Sequence, residues 1–263
     1  MSATPTAETQ TVSTLPLTGE RTVPGVAVEN YWFQRHVVAY ELAAARYRGR
    51  VVVDAGAGEG YGTDLLGRTA ADVVGVELVA DVVAHARRAY PSRRFVQADI
   101  CDTGLEPGRA DVVVNLQVIE HLPDVPRFLA ESRRLLRPGG ELCVATPNRL
   151  TFTPHSHEPT NIFHVEEFTA DELVARLRDV GSFDVTRVLG LYHGPRIRAV
   201  ERATGARFTD LVLSPPESWE PWLHAAVRRT TPADFRWVDT PPEAPEVDDC
   251  LDLLVIARRG DGT

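Results

Sequence analysis

VVVDAGAGEGYG, Val51 to Gly62, decides the fold. Three consecutive β-branched valines suit a central parallel strand covered on both faces, and the glycines after them let the backbone turn sharply beside a ligand. That is the layout of a nucleotide-type cofactor site. The dinucleotide fingerprint is G-x-G-x-x-G, whereas here Gly56, Gly58, Gly60 and Gly62 alternate and Tyr61 stands where the third fingerprint glycine would be. The spacing argues against NAD and FAD, and so against an oxidoreductase.

Three further strand-like units follow. DVVGVEL (Asp72 to Leu78) brings Glu77 to a strand end, where a carboxylate can accept hydrogen bonds from both hydroxyls of a ribose. RFVQADI (Arg94 to Ile100) ends on Asp99 and Ile100. DVVVNLQVIEHL (Asp111 to Leu122) gathers Asn115, Gln117, Glu120 and His121 at a strand's C-terminal end, where open α/β sheets bind ligands.

With Asp54 ahead of the first glycine, the opening stretch resembles motif I of class I S-adenosylmethionine-dependent methyltransferases, D/E-x-G-x-G-x-G. The resemblance implies an α/β, Rossmann-like, seven-stranded, mostly parallel sheet of order 3-2-1-4-5-7-6 with helices on both faces. It implies S-adenosylmethionine as cofactor, held by Asp54, Gly56, Gly58, Gly60, Tyr61, Glu77, Leu78, Asp99, Ile100, Asn115 and Gln117. Asp99 would take the adenine amino group and Ile100 its face.

A chain of 263 residues, 43% hydrophobic, is long enough for one substantial core plus an insertion, but not for two full domains. Its net charge of -9, without an offsetting basic run, disfavours nucleic acid as a partner. Arg133, Arg134 and Arg137 read as the solvated face of an amphipathic helix. Cys101, Cys143 and Cys250 are odd in number and lack C-x-x-C spacing, which suggests neither a disulfide framework nor a zinc site and fits a reducing, cytoplasmic setting. The N-terminus lacks an apolar core of signal-peptide length, and no membrane span is expected. Residues 1–17 read as a disordered tail.

Residues 18–50 read as a covering helix or lid. Trp32, Phe33, Val37, Tyr40 and Leu42 recur at helical spacing, while Glu20, Arg21, Tyr31, Arg35 and His36 are more polar and aromatic than cover alone requires. Downstream, a helix from Asp124 to Gly140 leads to a strand from Glu141 to Asn148. A capping-box helix from Thr169 to Val180 leads to the strand SFDVTRVLGLY, and Cys250 to Arg259 supplies a last, antiparallel strand. The methyltransferase core is thus 51–192 with 250–263.

The span 193–249 between those last two strands far exceeds a typical connection of about two to six residues and reads as a helical, acceptor-side insertion. Its Trp219, Trp222 and Trp237 suit sugar rings or a subdomain core, the core reading leading for any one of them. The acidic run Glu246, Asp248, Asp249 and Asp252 reads as a solvated loop and strand cap; no metal is assigned.

Methyl transfer from a sulfonium needs an aligned acceptor and, for a hydroxyl, a proton acceptor. His121 is the leading base, with Glu120 to orient it. His164 and His193 are alternatives, and His155 and His157 would need loop closure to act.

TGERTVP, ENYWFQRH, GEGYG, NLQVIEHL, TPNRLTF, NIFH, LYHGPR and DDCLDLLVIA together look like actinobacterial methyltransferases associated with methylglucose lipopolysaccharide synthesis. That resemblance implies a carbohydrate acceptor, a glucose hydroxyl of an α-glucan. Ala57 departs from the cysteine many relatives carry there. A quinone- or phenol-directed methyltransferase shares the E-H after strand four, and a non-catalytic cofactor-binding partner in a polysaccharide assembly is a third reading.

Overall fold

The structure, a computed structural model, describes residues 21–154, 156, 158–243 and 246–260. The expected tail, Glu20, His155 and His157 lie outside the described residues.

Eight strands form one sheet: β1 (Val51–Ala55), β2 (Asp72–Glu77), β3 (Arg94–Gln97), β4 (Ala110–Leu116), β5 (Leu136–Pro147), β6 (Phe183–His193), β7 (Phe235–Thr240) and β8 (Asp252–Arg259). Their order is β3-β2-β1-β4-β5-β8-β6-β7. The pairings among β1 to β5 are parallel, while β8 runs antiparallel to both β5 and β6. The expected order is present with one strand added. The end of the insertion returns along β6 and pairs with it from Val188↔Thr240 to His193↔Phe235, which makes β7 an eighth, edge strand.

Nine α-helices accompany the strands among the described residues: α1 (Asn30–Arg46), α2 (Tyr61–Gly67), α3 (Ala80–Ala89), α4 (Val125–Leu135), α5 (Arg149–Phe152), α6 (Ala170–Ala175), α7 (Pro195–Thr204), α8 (Phe208–Leu213) and α9 (Pro221–Arg228). Successive strand residues face opposite sides. Val53, Val113, Leu142 and Val144 therefore meet Phe128 and Leu129 of α4 and Leu173 of α6. Val52, Val112, Val114 and Cys143 meet Ala39, Tyr40 and Ala43 of α1 and Leu66 of α2 on the other face. Both faces are covered, as a valine-rich parallel sheet requires.

Helix ends follow local chemistry. The Asp124 carboxylate caps α4 by accepting from the Arg127 amide at 3.0 Å. That helix stops at Leu135, short of the expected Gly140, because Arg137 to Gly140 already belong to the irregular start of β5. The capping box of Thr169 and Glu172 starts α6, which ends in a π-helical turn over Arg176–Val180.

The insertion packs on α1. Ile197, Phe208, Val212, Trp219, Leu223, Val227 and Phe235 close a third core around Tyr31 and Val38. The Asn30 side-chain amide donates to the carbonyls of Val227 and Thr230, each at 2.9 Å. Trp219 is buried in this core with its indole N–H on the Ser214 carbonyl, and the Trp237 indole bonds Val38. Trp222 is exposed. The acidic run needs a correction: Asp252 is not a solvated cap but a buried partner of Arg35 from α1. Cys101, Cys143 and Cys250 are free thiols. Among the described residues no helix is long and apolar enough to cross a membrane.

Candidate active site

At the C-terminal ends of β1, β2 and β4 lies a cavity of about 380 Å³, whose lining includes Gly56, Ala57, Gly58, Tyr61, Glu77, Leu78, Asp99, Ile100 and Gln117. The turn after β1 is shaped by Gly56, at φ 93°, where a Cβ would sit 2.6 Å from Val118. Glu77 accepts the Gly58 amide at 3.1 Å on one oxygen and the Val79 amide at 2.9 Å on the other. Its carboxylate is held at the cavity wall with further lone pairs on both oxygens. Asp99 is braced likewise: Oδ1 accepts the Cys101 amide at 2.8 Å. Leu78, 62% exposed, leaves an apolar plate beside it. Glu77 and Asp99 thus offer carboxylate acceptors, and Leu78 and Ile100 apolar surface, within one cavity.

A second cavity, of about 440 Å³, adjoins the first and shares Arg21, Thr22, His36, Gln117 and His121 with it. Thr22 Oγ1 lies 3.2 Å from His36 Nδ1 and 3.1 Å from the Tyr61 hydroxyl, which ties the segment before α1 to the glycine turn. Burial, then the charge of Arg35 and the proximity of His121, push His36 down to about 3, so that ring is neutral near pH 7. Gln117 has a left-handed backbone at φ 60°, a conformation costly for a residue with a Cβ. Its amide is held at 2.7 Å by the Ala145 carbonyl, and the twist lets one residue face both cavities.

The floor of the second cavity carries Glu120, His121 and His164. His121 Nδ1 lies 2.8 Å from the Phe163 carbonyl, which can only accept. Nδ1 therefore bears a hydrogen. His164 Nδ1 donates to Glu167 at 2.7 Å and its Nε2 meets the Asn161 side-chain nitrogen at 3.0 Å. Glu120 is buried, accepts the Thr146 hydroxyl at 2.9 Å, and is pushed up to about 7 chiefly by that burial. Its backbone carbonyl accepts the Val165 amide at 2.7 Å, which folds the segment carrying His164 over the end of β4. The Phe163 carbonyl thus holds His121 Nδ1, and the Glu120 carboxylate takes the Thr146 hydroxyl.

Ligand-type atoms of Glu120, His121 and His164 lie within 4.8 Å of one another, the kind of set that can hold a divalent cation. A cation taking Nε2 of His164 would have to displace the Asn161 amide. Aromatic rings line the remaining wall: Phe152 stacks on His164 at 5.4 Å, and Trp32 meets Phe152 edge-on at 6.2 Å.

Four expected site residues stand elsewhere. His193 is buried on the far side of α1, its Nε2 2.7 Å from the Tyr31 hydroxyl and its Nδ1 3.0 Å from Glu201, and it lines neither cavity. Both of its ring nitrogens are bonded, to Tyr31 and to Glu201. Asp54 lies behind the glycine turn, where it accepts from Tyr40 at 3.2 Å and Thr63 at 2.6 Å, and burial raises its carboxyl to about 6. Asn115 spans strands, its amide donating to the Ala55 carbonyl at 3.0 Å. Gly60 starts α2 at φ 90°, and a Cβ there would strike Phe95 and Ala86. None of the three lines the first cavity. Sequence reasoning missed Thr22, Phe152, Asn161 and Glu167; Asn161 and Glu167, three residues to either side of His164, left a spacing signal.

Comparison with known proteins agrees with this geometry. Residues 53–144 match a family model described as a methyltransferase domain. A Mycobacterium tuberculosis protein named "Probable S-adenosylmethionine-dependent methyltransferase" is 44% identical over 258 residues, 97% of this chain and 93% of the relative. A ubiquinone biosynthesis O-methyltransferase of Methylococcus capsulatus is 33% identical over 108 residues, 38% of this chain and 45% of its own. Among solved structures, a geranyl diphosphate methyltransferase in complex with GPP and sinefungin has a TM-score of 0.56 at 18% identity, covering 85% of this chain and 78% of that one. A Rossmann-like sheet, a cavity at its strand ends lined by the glycine turn and Glu77, and a relative matching nearly end to end lead to one conclusion: the chain belongs to the S-adenosylmethionine-dependent methyltransferases.

Proposed function

We propose that this enzyme methylates a sugar hydroxyl, of a glucan or oligosaccharide in polymethylated polysaccharide synthesis, and that His121 is the base. S-adenosylmethionine, when bound, would supply a sulfonium methyl whose carbon bonds to the acceptor oxygen as its bond to sulfur breaks, giving S-adenosylhomocysteine and a methyl ether. Glu77, Leu78, Asp99 and Ile100 hold the adenosine part in the first cavity, with Asp54, Gly60 and Asn115 behind them. The second cavity, lined by Val212 to Pro216 and Trp219 of the insertion and by Trp32, takes the acceptor.

The observation that carries the reading is the place of His121 on the wall shared by both cavities, with Nδ1 committed to Phe163. Nε2 takes the hydroxyl proton as the carbon–oxygen bond forms, and the imidazolium keeps its Nδ1 hydrogen bond throughout. His164, held by Glu167, lies edge-on to His121 at 4.9 Å and becomes the second proton acceptor once the Asn161 amide leaves its Nε2. Glu29, Gln117, Glu120 and Asn161 beside Trp32 and Trp219 suit a polyol ring, whose faces are apolar and whose edges bear hydroxyls. Three free thiols suit a reducing cytoplasm.

The aromatic wall of Trp32, Phe152 and Trp219 also favours a phenol or quinol acceptor, the second reading. Purified enzyme with S-adenosylmethionine should methylate gluco-oligosaccharides and leave dihydroxyphenols untouched. Turnover of the phenols alone would replace the carbohydrate reading.

A further inference from the structure

A third cavity, of about 500 Å³, lies at the opposite end of the sheet from the other two and shares no lining residue with them. It is built where the parallel strands begin. Arg50 precedes β1, Asp111 lies at the start of β4, and Arg137 and Glu141 belong to the first half of β5. Arg258 and Arg259 end the antiparallel β8, and Arg46 closes α1 beside them. Five arginines thus face two carboxylates, in a chain whose net charge is -9. Both carboxylates are already engaged. Glu141 takes Arg46 at 3.1 Å, while Asp111 takes Arg137 at 2.7 Å on one oxygen and the Val51 amide at 2.9 Å on the other. Arg259 donates to the Leu136 carbonyl, and among the described residues no carboxylate lies within ion-pair distance of Arg50, Arg258 or Arg259. Arg50 and Arg258 are exposed, so a dissolved ligand can reach their guanidinium groups.

We propose that this third cavity binds a small, freely dissolved phosphate ester, at a site separate from methyl transfer. A guanidinium presents paired N–H donors that match two oxygens of one phosphate, which makes arginine the residue suited to such a group. Arg50 and Arg258 bring two of these forks from different elements to one cavity, with Arg259 beside them. A monocarboxylate, with one charge and two oxygens, would satisfy only part of that donor set. The surroundings favour a small ligand over a long polyanion. Asp111 and Glu141 stand on the same wall and the rest of the chain is negative, so phosphates extending past the arginines would be repelled.

The test is calorimetric titration of inorganic pyrophosphate into the S-adenosylhomocysteine-loaded enzyme at fixed ionic strength. Wild type is compared with the double variants Arg50→Ser, Arg258→Ser and Arg50→Lys, Arg258→Lys. Wild type should bind pyrophosphate saturably at one site, and the serine pair should weaken it on the order of 10- to 100-fold. The lysine pair should fall between, because it keeps the charge and loses the fork. S-adenosylhomocysteine affinity should not move in any of the three, which also reports that each is folded. No binding to wild type overturns the proposal whatever the variants do, as does binding that the serine pair leaves unchanged. Sedimentation with phosphatidic acid vesicles, without binding of pyrophosphate, would make the ligand a lipid headgroup and overturn the reading as a dissolved ester. Asp261 follows the cavity-lining Gly260 and lies outside the described residues. Pyrophosphate binding that emerges only in Asp261→Asn would make an acid of this chain the occupant, and would overturn the proposal as well.

Discussion

The Nδ1 of His121 and the carbonyl oxygen of Phe163 are 2.8 Å apart, and this bond between a strand end and a distant loop decides which ring nitrogen can take a proton. His121→Ala should lower kcat about 10²- to 10⁴-fold with a much smaller change in cofactor affinity. Single-turnover kinetics and cofactor titration separate the two. Near-normal turnover would move the base to His164.

Glu77 holds two backbone amides and faces the first cavity. Its replacement by Ala should weaken S-adenosylmethionine and S-adenosylhomocysteine on the order of 10- to 100-fold by calorimetry, with no NAD binding in either protein. Unchanged affinity would remove Glu77 from the site.

Glu120 titrates in the fold near 7, above an ordinary value of 4.5, because burial disfavours its charged form. The raised value means that the native state holds this proton more tightly than the unfolded chain does. Its contribution to stability is complete below about pH 4.5 and is lost as pH rises through 7. Glu120→Gln stays neutral and escapes that loss. Urea unfolding should show the variant gaining on wild type between pH 4.5 and 8, by at most about 3 kcal/mol; a gap independent of pH would contradict the assignment.

His193 offers the opposite signature. Removing its ring leaves the Tyr31 hydroxyl without its nearest partner inside the third core, which should cost about 1–3 kcal/mol and lower the melting temperature. Methyl transfer measured well below that temperature should stay within a few-fold of wild type. A loss of turnover as large as that of His121→Ala would restore His193 as a candidate base.

Much of the cofactor wall was legible in the sequence because it is local. Val51 to Gly62 is one strand and one turn, and Glu77 and Asp99 sit at the ends of neighbouring strands whose β-branched runs mark them. Burial was harder to read. Asp54 and Asn115 are polar and well placed in sequence, but strand geometry points them behind the wall, whereas Gln117 reaches the cavities through a left-handed twist that spacing does not encode. The acceptor side was legible least, since its partners are distant. Phe163 meets His121 across 42 positions and Asp252 meets Arg35 across 217, and no periodicity announces either. The same distance misled the reading of His193, which shares a strand end with the site but belongs to the packing around Tyr31.

The ion pair between Arg35 and Asp252 also joins parts of the chain that lie far apart in sequence. The glycine turn, Glu77 and Asp99 all fall within the first half of the chain. The second cavity draws on both halves, because Arg35 of α1 lines it and is held by Asp252 of β8. A change in the last strand can thus reach the second cavity without touching any residue that lines the first.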